Sequence, residues 1–367
     1  MMWLALAAFV AWAYLALFHG RFWRAGPVLQ PAEPEFAPSV AAVVPARDEA
    51  PVIAQSIGSL LAQDYAGNFR VVLVDDGSED GTGDIARGLH GARLDVIRGT
   101  PRAPGWAGKL WAVSQGVAAA SDAEWLLLTD ADIVHDPRHV ATLMAQAESS
   151  GADLVSEMVE LNCTTPAERA LIPAFVYFFQ LLYPFARVNS PKSRTAAAAG
   201  GTILIRRATL EQVGGIAAVK GALIDDVALA RAVKPVAKIW LGRSGLAKSI
   251  RPYPHMRDIW RMIARSAYVQ LRYSPLLLAG TILGLALLFV VPPVATLRGE
   301  WFGVFAWLVM AETFVPTLWR FRLSALRAPL LPLAGLFYMA ATVGSAIDHH
   351  RGRGVMWKNR AYTERQA

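Results

Sequence analysis

An uncharged apolar run, Trp-Leu-Leu-Leu-Thr at 125–129, ends directly on Asp130-Ala131-Asp132. A run this short and this apolar reads as a strand buried on both faces of a parallel sheet. Open α/β sheets take their ligands beyond the carboxyl ends of their strands, so the two carboxylates fall where a ligand would bind. Hard divalent cations prefer oxygen donors, and Mg2+ commonly shares one or two carboxylates with substrate phosphates. An ordinary acidic turn would give the same tripeptide. The rest of the chain has to separate the two readings.

Around this run the pattern alternates. Residues 39–44, 69–74, 94–97, 153–157 and 202–205 read as strands, and 80–89 and 109–120 as helices. Residues 50–63 carry Ile53, Ile57, Leu60 and Leu61 on one helical face. Asp136 is placed to cap a further helix with Pro137 at its first position. Strands alternating with helices predict an α/β domain with a mostly parallel sheet over residues 39–250.

The chain is more apolar than such a domain needs. It has 367 residues, 54% of them hydrophobic, a mean hydropathy of +0.33 and a net charge of +7. That balance predicts a soluble domain joined to membrane segments. Residues 1–20 open with an apolar run that carries no charge before Arg21 and lacks the cleavage pattern of a secretory signal, so an uncleaved anchor is expected. A proline-rich linker follows at 21–38. Residues 251–274 mix arginines with Trp260, Met262 and Ile263, as an amphipathic interfacial helix would. Two or three membrane segments are expected within 275–348. The middle one, interrupted by Glu312 and Pro316, is expected to be kinked or re-entrant.

From Arg251 onward there are 14 basic residues against 5 acidic ones, ending in a basic tail at 349–367. This placement between and after apolar runs favours anionic lipid headgroups over nucleic acid, for which no motif is present. Arg320, Arg322 and Arg327 assign their loop to the cytoplasm. A full final span would then carry the basic tail outside, so one late segment is expected not to cross. The single cysteine, Cys163, forms no internal disulfide and reads as a small core residue.

Carboxylates recur at the ends of successive strands: Asp48-Glu49, Asp75-Asp76, then Asp130 and Asp132. Gly108-Lys109, Gly200-Gly201 and Asp225-Asp226 complete the set. Such crowding is costly unless cations or donors satisfy it.

In this order the motifs of residues 39–235 resemble the family 2 glycosyltransferases of GT-A fold. The N-terminal anchor, Arg47-Asp48-Glu49, Trp106-Ala107-Gly108-Lys109 and the basic tail are most similar to the membrane-anchored, hopene-associated members. The resemblance implies a nucleotide-sugar donor, a divalent metal (Mg2+ or Mn2+) and inversion at the anomeric carbon. It implies that Glu49 and Asp76 lie near the nucleotide base or ribose, and Lys109 near the donor. It makes Asp132 the metal ligand, with Asp130 beside it on metal or sugar. Asp226, preceded by Asp225, becomes the general base. Arg47-Asp48 departs from the commoner Tyr-Asn, and Asp225 from the usual Glu. The Gln-x-x-Arg-Trp motif of processive members is reduced to Gln270-Leu271-Arg272-Tyr273, which argues against a polymer synthase.

The expected activity is transfer of a sugar to a lipid hydroxyl at the cytoplasmic face of a bacterial inner membrane. Transfer onto a polyprenyl phosphate, or non-catalytic binding of lipid or nucleotide sugar, are the alternatives.

Overall fold

The computed structural model describes residues 1–24, 26–89 and 91–352, with the backbone of 356–357 and 360–361. The other residues of the expected basic tail at 349–367, Arg353 and Lys358 among them, lie outside the described residues. The chain divides into two compact units. One holds residues 27–162 and 188–251; the other holds 1–26, 163–187 and everything from Pro252 through the last helix. The expected continuous domain at 39–250 is therefore interrupted. Its residues 163–187 form a helix of the second unit, because Pro166–Leu182 buries Leu171, Ile172, Val176 and Tyr177 among other helices.

The α/β unit is built on one eight-stranded sheet. Its strands are β1 (Val40–Ala46), β2 (Phe69–Asp75), β3 (Leu94–Arg98), β4 (Trp125–Thr129), β5 (Ile133–His135), β6 (Leu154–Glu160), β7 (Thr202–Arg206) and β8 (Ile239–Ser249). They run in the order β3-β2-β1-β4-β7-β6-β8-β5. Four of its seven pairings are parallel and three antiparallel. β7 pairs antiparallel with both β4 and β6, and β5 antiparallel with β8. β1 and β4 are buried along their whole length, which is why they read as unbroken apolar runs. The order reverses beside β1, with β2 on one side and β4 on the other, and that switch point opens a crevice at the carboxyl ends.

Pro45 lines the crevice. β1 pairs with β4 only over Val40–Val43, and Pro45, which has no N–H to give, comes just beyond the last pairing. The helix expected after Asp136 starts later, at His139–Ser150. Asp136 instead accepts the Arg138 backbone N–H at 3.0 Å in the preceding turn.

In the helical unit four segments are long and apolar enough to cross a membrane: Pro166–Val188, Pro275–Leu297, Trp301–Arg320 and Ala325–His350. Pro316 lies inside the continuous helix Trp301–Arg320. The first helix, Met2–Phe18, is shorter, at ~25 Å. It buries Ala5, Ala8 and Trp12 within this unit. The Trp12 indole donates to the Leu288 carbonyl at 2.8 Å. That carbonyl needs an outside donor because Pro292, four residues on, has no N–H. Tyr177 and Thr313 share a hydroxyl hydrogen bond of 2.7 Å. Met256–Gln270 is the amphipathic helix expected at 251–274, and it buries Ile259, Ile263 and Tyr268.

Candidate active site

The crevice collects side chains from four places in the sequence. Lys109 comes from the second position of the helix Gly108–Ala119, Asp130 from the turn after β4, and Asp225 and Asp226 from the first turn of the helix Asp225–Val233. All four line one pocket together with Pro45 and Gly200, over an apolar floor that includes Leu110, Val113, Ile203 and Leu229.

Lys109 Nζ lies 2.8 Å from Asp130 Oδ1 and 3.0 Å from Asp225 Oδ2. Burial alone would depress this ammonium. The two carboxylates overrule it and hold its pKa well above the ordinary lysine value. Asp130 is shifted upward by burial, with Lys109 opposing and Asp132 adding to the shift. A solvated lysine at a helix start, the plainer reading of Gly-Lys, does not describe this one.

Asp226 is fixed by backbone donors. The Gly200 N–H donates to Oδ2 at 2.8 Å, and the Val227 N–H to Oδ1 at 2.7 Å. A Cβ at residue 200 would stand 3.2 Å from that Oδ2, so glycine lets the loop come close. Burial, then the neighbouring charge of Asp225, push the Asp226 carboxyl up to about 7, against the pull of Lys109. A carboxylate poised near neutral pH is suited to take up a proton in a reaction.

Asp132 faces a second cation. Arg251, just beyond the end of β8, places Nε 2.9 Å from Asp132 Oδ2 and Nη2 2.6 Å from Glu49 Oε1. The Ser249 hydroxyl donates to the same Asp132 oxygen at 3.1 Å. Neither Glu49 nor Asp132 lines the pocket around Lys109. Arg251 was not singled out as a site residue in the sequence. Its partner Glu49 is 202 positions away, and no local pattern marks it.

Asp75 and Asp76 divide their work. Asp75 Oδ1 accepts the Ser78 N–H at 2.9 Å, and a side chain at Gly83 would collide with its Oδ2, so Asp75 shapes the turn. Asp76 is buried, with a carboxylate oxygen 3.8 Å from Arg47 Nη1. Arg47-Asp48 thus acts inside this corner. Arg47 bonds the Asp76 carbonyl, and Asp48, at φ +50°, accepts the Glu79 N–H.

Among the described residues no three His, Cys, Asp or Glu side chains come together as a protein cage for a metal. Asp130 and Asp132 each present one oxygen to a protein cation, Lys109 or Arg251. A hard cation drawing most of its ligands from water and a diphosphate needs only one or two carboxylates, and the turn supplies that number. The donor set fits such an ion.

Residues 41–214 match the family model described as Glycosyl transferase family 2. Among curated proteins nothing matches. Among solved structures, the chain is similar to the mannosyltransferase PcManGT from Pyrobaculum calidifontis in complex with GDP-Man and Mn2+. That similarity has a TM-score of 0.57 at 19% identity and covers 94% of this chain and 98% of that one. TarS 1–349 from S. aureus, in complex with UDP-GlcNAc, matches with a TM-score of 0.43 at 15% identity over 90% of this chain and 98% of that one. At 19% identity the Pyrobaculum likeness speaks for the fold alone. Glu49, Asp76, Lys109, Asp130 and Asp132 fall within the family match, whereas Asp225, Asp226 and Arg251 lie beyond it. Residues 41–214 are a glycosyl transferase family 2 domain.

Proposed function

We propose that the protein is a membrane-bound, inverting glycosyltransferase that moves a sugar from a nucleotide-sugar donor to the hydroxyl of a lipid. The observation that carries this reading is Asp226, a carboxylate pushed up to about 7 by burial and Asp225 and set beside the half-buried Lys109 and Asp130. The family match supports glycosyl transfer. The complex of the Pyrobaculum neighbour with GDP-Man and Mn2+ supports a nucleotide-sugar donor and a divalent cation. Four apolar helices and the excess of basic residues after Arg251 support a lipid acceptor and a membrane. A hopanoid-like or other membrane lipid is the acceptor class, and the cytoplasmic face of a bacterial inner membrane the setting.

In this reading Asp226 takes the proton of the acceptor hydroxyl as that oxygen bonds to the anomeric carbon. The bond from that carbon to the diphosphate oxygen breaks on the opposite face, which inverts the centre. Lys109 keeps its proton and offsets the charge gathering on the leaving diphosphate. Mg2+ or Mn2+, held by Asp132 and Asp130, would supply further charge neutralisation there. Glu49 and Asp76 would contact the base or ribose.

The test is incubation of the purified full chain with a panel of nucleotide sugars and membrane lipids, with mass detection of glycolipid. Glycolipid formation that disappears in Asp226→Asn and in excess EDTA is expected. A folded Asp226→Asn variant with full turnover would remove the assigned base, and transfer undiminished by EDTA would remove the metal.

A further inference from the structure

Behind the turn of Asp130 lies a buried set of titratable groups that the transfer reaction does not use. Glu157 on β6 and His139 are fully buried, and His135 is 3% exposed. His139 Nε2 lies 2.7 Å from Glu157 Oε1. His139 Nδ1 lies 2.9 Å from His135 Nδ1, and His135 Nε2 lies 3.2 Å from Thr129 Oγ1. Thr129 donates its own proton to the Gly201 carbonyl at 2.8 Å. The next residue back, Gly200, donates to Asp226.

Hydrogen-bond bookkeeping fixes where the protons sit. Thr129 has one proton and gives it to Gly201, so its oxygen must accept from His135 Nε2–H. Burial, and then the neighbouring His139, hold the His135 pKa well below its ordinary value, so this ring is neutral and its Nδ1 is an acceptor. His139 must then donate from Nδ1. Its Nε2 and Glu157 share one further proton, either as a carboxylic acid on a neutral ring or as a carboxylate on an imidazolium. Either way Glu157, His139 and His135 together carry three protons and no net charge.

We propose that Glu157, His139, His135 and Thr129 form a proton-loaded brace of positioning residues. It sets the spacing between the Asp130 turn and the Gly200 loop that orients Asp226. The proposal rests on the glycosyl-transfer reading for its consequence, but not for its proton placement. His135 is further clamped by its N–H to Ser59 Oγ at 3.0 Å, and Gln63 holds the Asp136 carbonyl and the Val140 N–H. These contacts hold the backbone on either side of the two rings.

The first experiment is two-bond proton–nitrogen NMR on the 15N-histidine-labelled full chain in detergent, assigned with single His→Gln variants. His135 should appear as the Nε2–H tautomer, with His139 protonated on Nδ1. A His135 that is Nδ1–H or doubly protonated overturns the brace. The second compares Glu157→Gln with Glu157→Met for binding of GDP and UDP in the presence of Mn2+ and for transfer. Gln can donate to His139 Nε2 and should stay within about 2-fold of wild type. Met cannot, and should lose at least 10-fold in transfer. Equal loss in both variants, or retention in both, overturns the proposal. Failure of the wild type to bind any nucleotide would defeat the functional reading while the tautomers still decide the brace.

Discussion

Lys109 and Arg251 each bridge two carboxylates of the same crevice, but from different settings. The Lys109 side chain is 18% exposed and starts a helix, where the positive end of the helix dipole disfavours a cation. Only the fixed pair Asp130 and Asp225 can hold it there. Arg251 is 33% exposed and follows the last residue of β8, with no helix field against it. The partners run the other way: the Glu49 and Asp132 side chains are 11% and 10% exposed, against 35% and 24% for Asp130 and Asp225. What separates the two is setting: Lys109 sits against a helix field between two carboxylates, whereas the Arg251 guanidinium itself reaches solvent over two buried ones. In the proposed reaction Lys109 sets the field around Asp226, and Arg251, which bridges Asp132 and Glu49, is the cation that phosphate or metal would displace.

Breaking the comparison at its centre should have the largest effect. Asp226→Asn should lower transfer by about 10²–10⁴-fold while binding of nucleotide, followed calorimetrically, persists. Next comes Lys109→Met, which leaves Asp130 and Asp225 without their cation. Because those two carboxylates are 35% and 24% exposed, solvent screening limits the expected loss in denaturant unfolding to about 1 kcal/mol. Removing that cation should also move the rising limb of the pH–rate profile to higher pH.

In the wild type that limb should lie near pH 7, with transfer falling about tenfold per unit below it, because the base must be ionised. The stability linkage has the opposite sense. The folded-state pKa of Asp226 is raised, so its contribution is complete below the ordinary carboxylate range and is lost as pH climbs through about 7. Asp226→Asn should therefore gain melting temperature over wild type as pH rises from 5 to 8. The smallest effect should come from Arg251→Gln, which releases an oxygen of Asp132. Mn2+ binding without nucleotide should tighten a few-fold by calorimetry, and unchanged binding would mean that Arg251 and a cation do not compete.

Much of the α/β unit was legible because its central strands are buried on both faces and their sequences are short apolar runs between turn residues. β1, β2 and β4 are where those runs predicted them, with carboxylates at their ends. Strand direction was not legible. An apolar run looks the same in either sense, so the antiparallel β7 passed as another parallel strand. The helix Pro166–Leu182 passed as part of the α/β domain. Its capping box of Thr165 and Glu168 is ordinary, and only the packing of residues such as Tyr177 on Thr313 shows where it belongs. Lys109, Asp130 and Asp225 were legible as candidates but not as a bonded triplet, since those bonds join residues far apart in sequence. His135 and His139 were not legible as a bonded pair. Their partner Glu157 lies on another strand, and nothing in the spacing points to it.

The interruption at 163–187 has a consequence for how the molecule can be made or cut. Strands β7 and β8 are synthesised only after that helix has emerged, so the sheet cannot close until an apolar helix belonging to the other unit is already in place on the nascent chain. No single cut isolates either unit. A fragment of residues 27–251 carries the helix Pro166–Leu182 stripped of its partners, exposing an apolar surface of the kind that drives aggregation. A soluble sheet domain would have to join residue 162 to residue 188 through a short polar linker, removing the intervening helix while keeping Glu49, Lys109, Asp132, Asp226 and Arg251 on one chain.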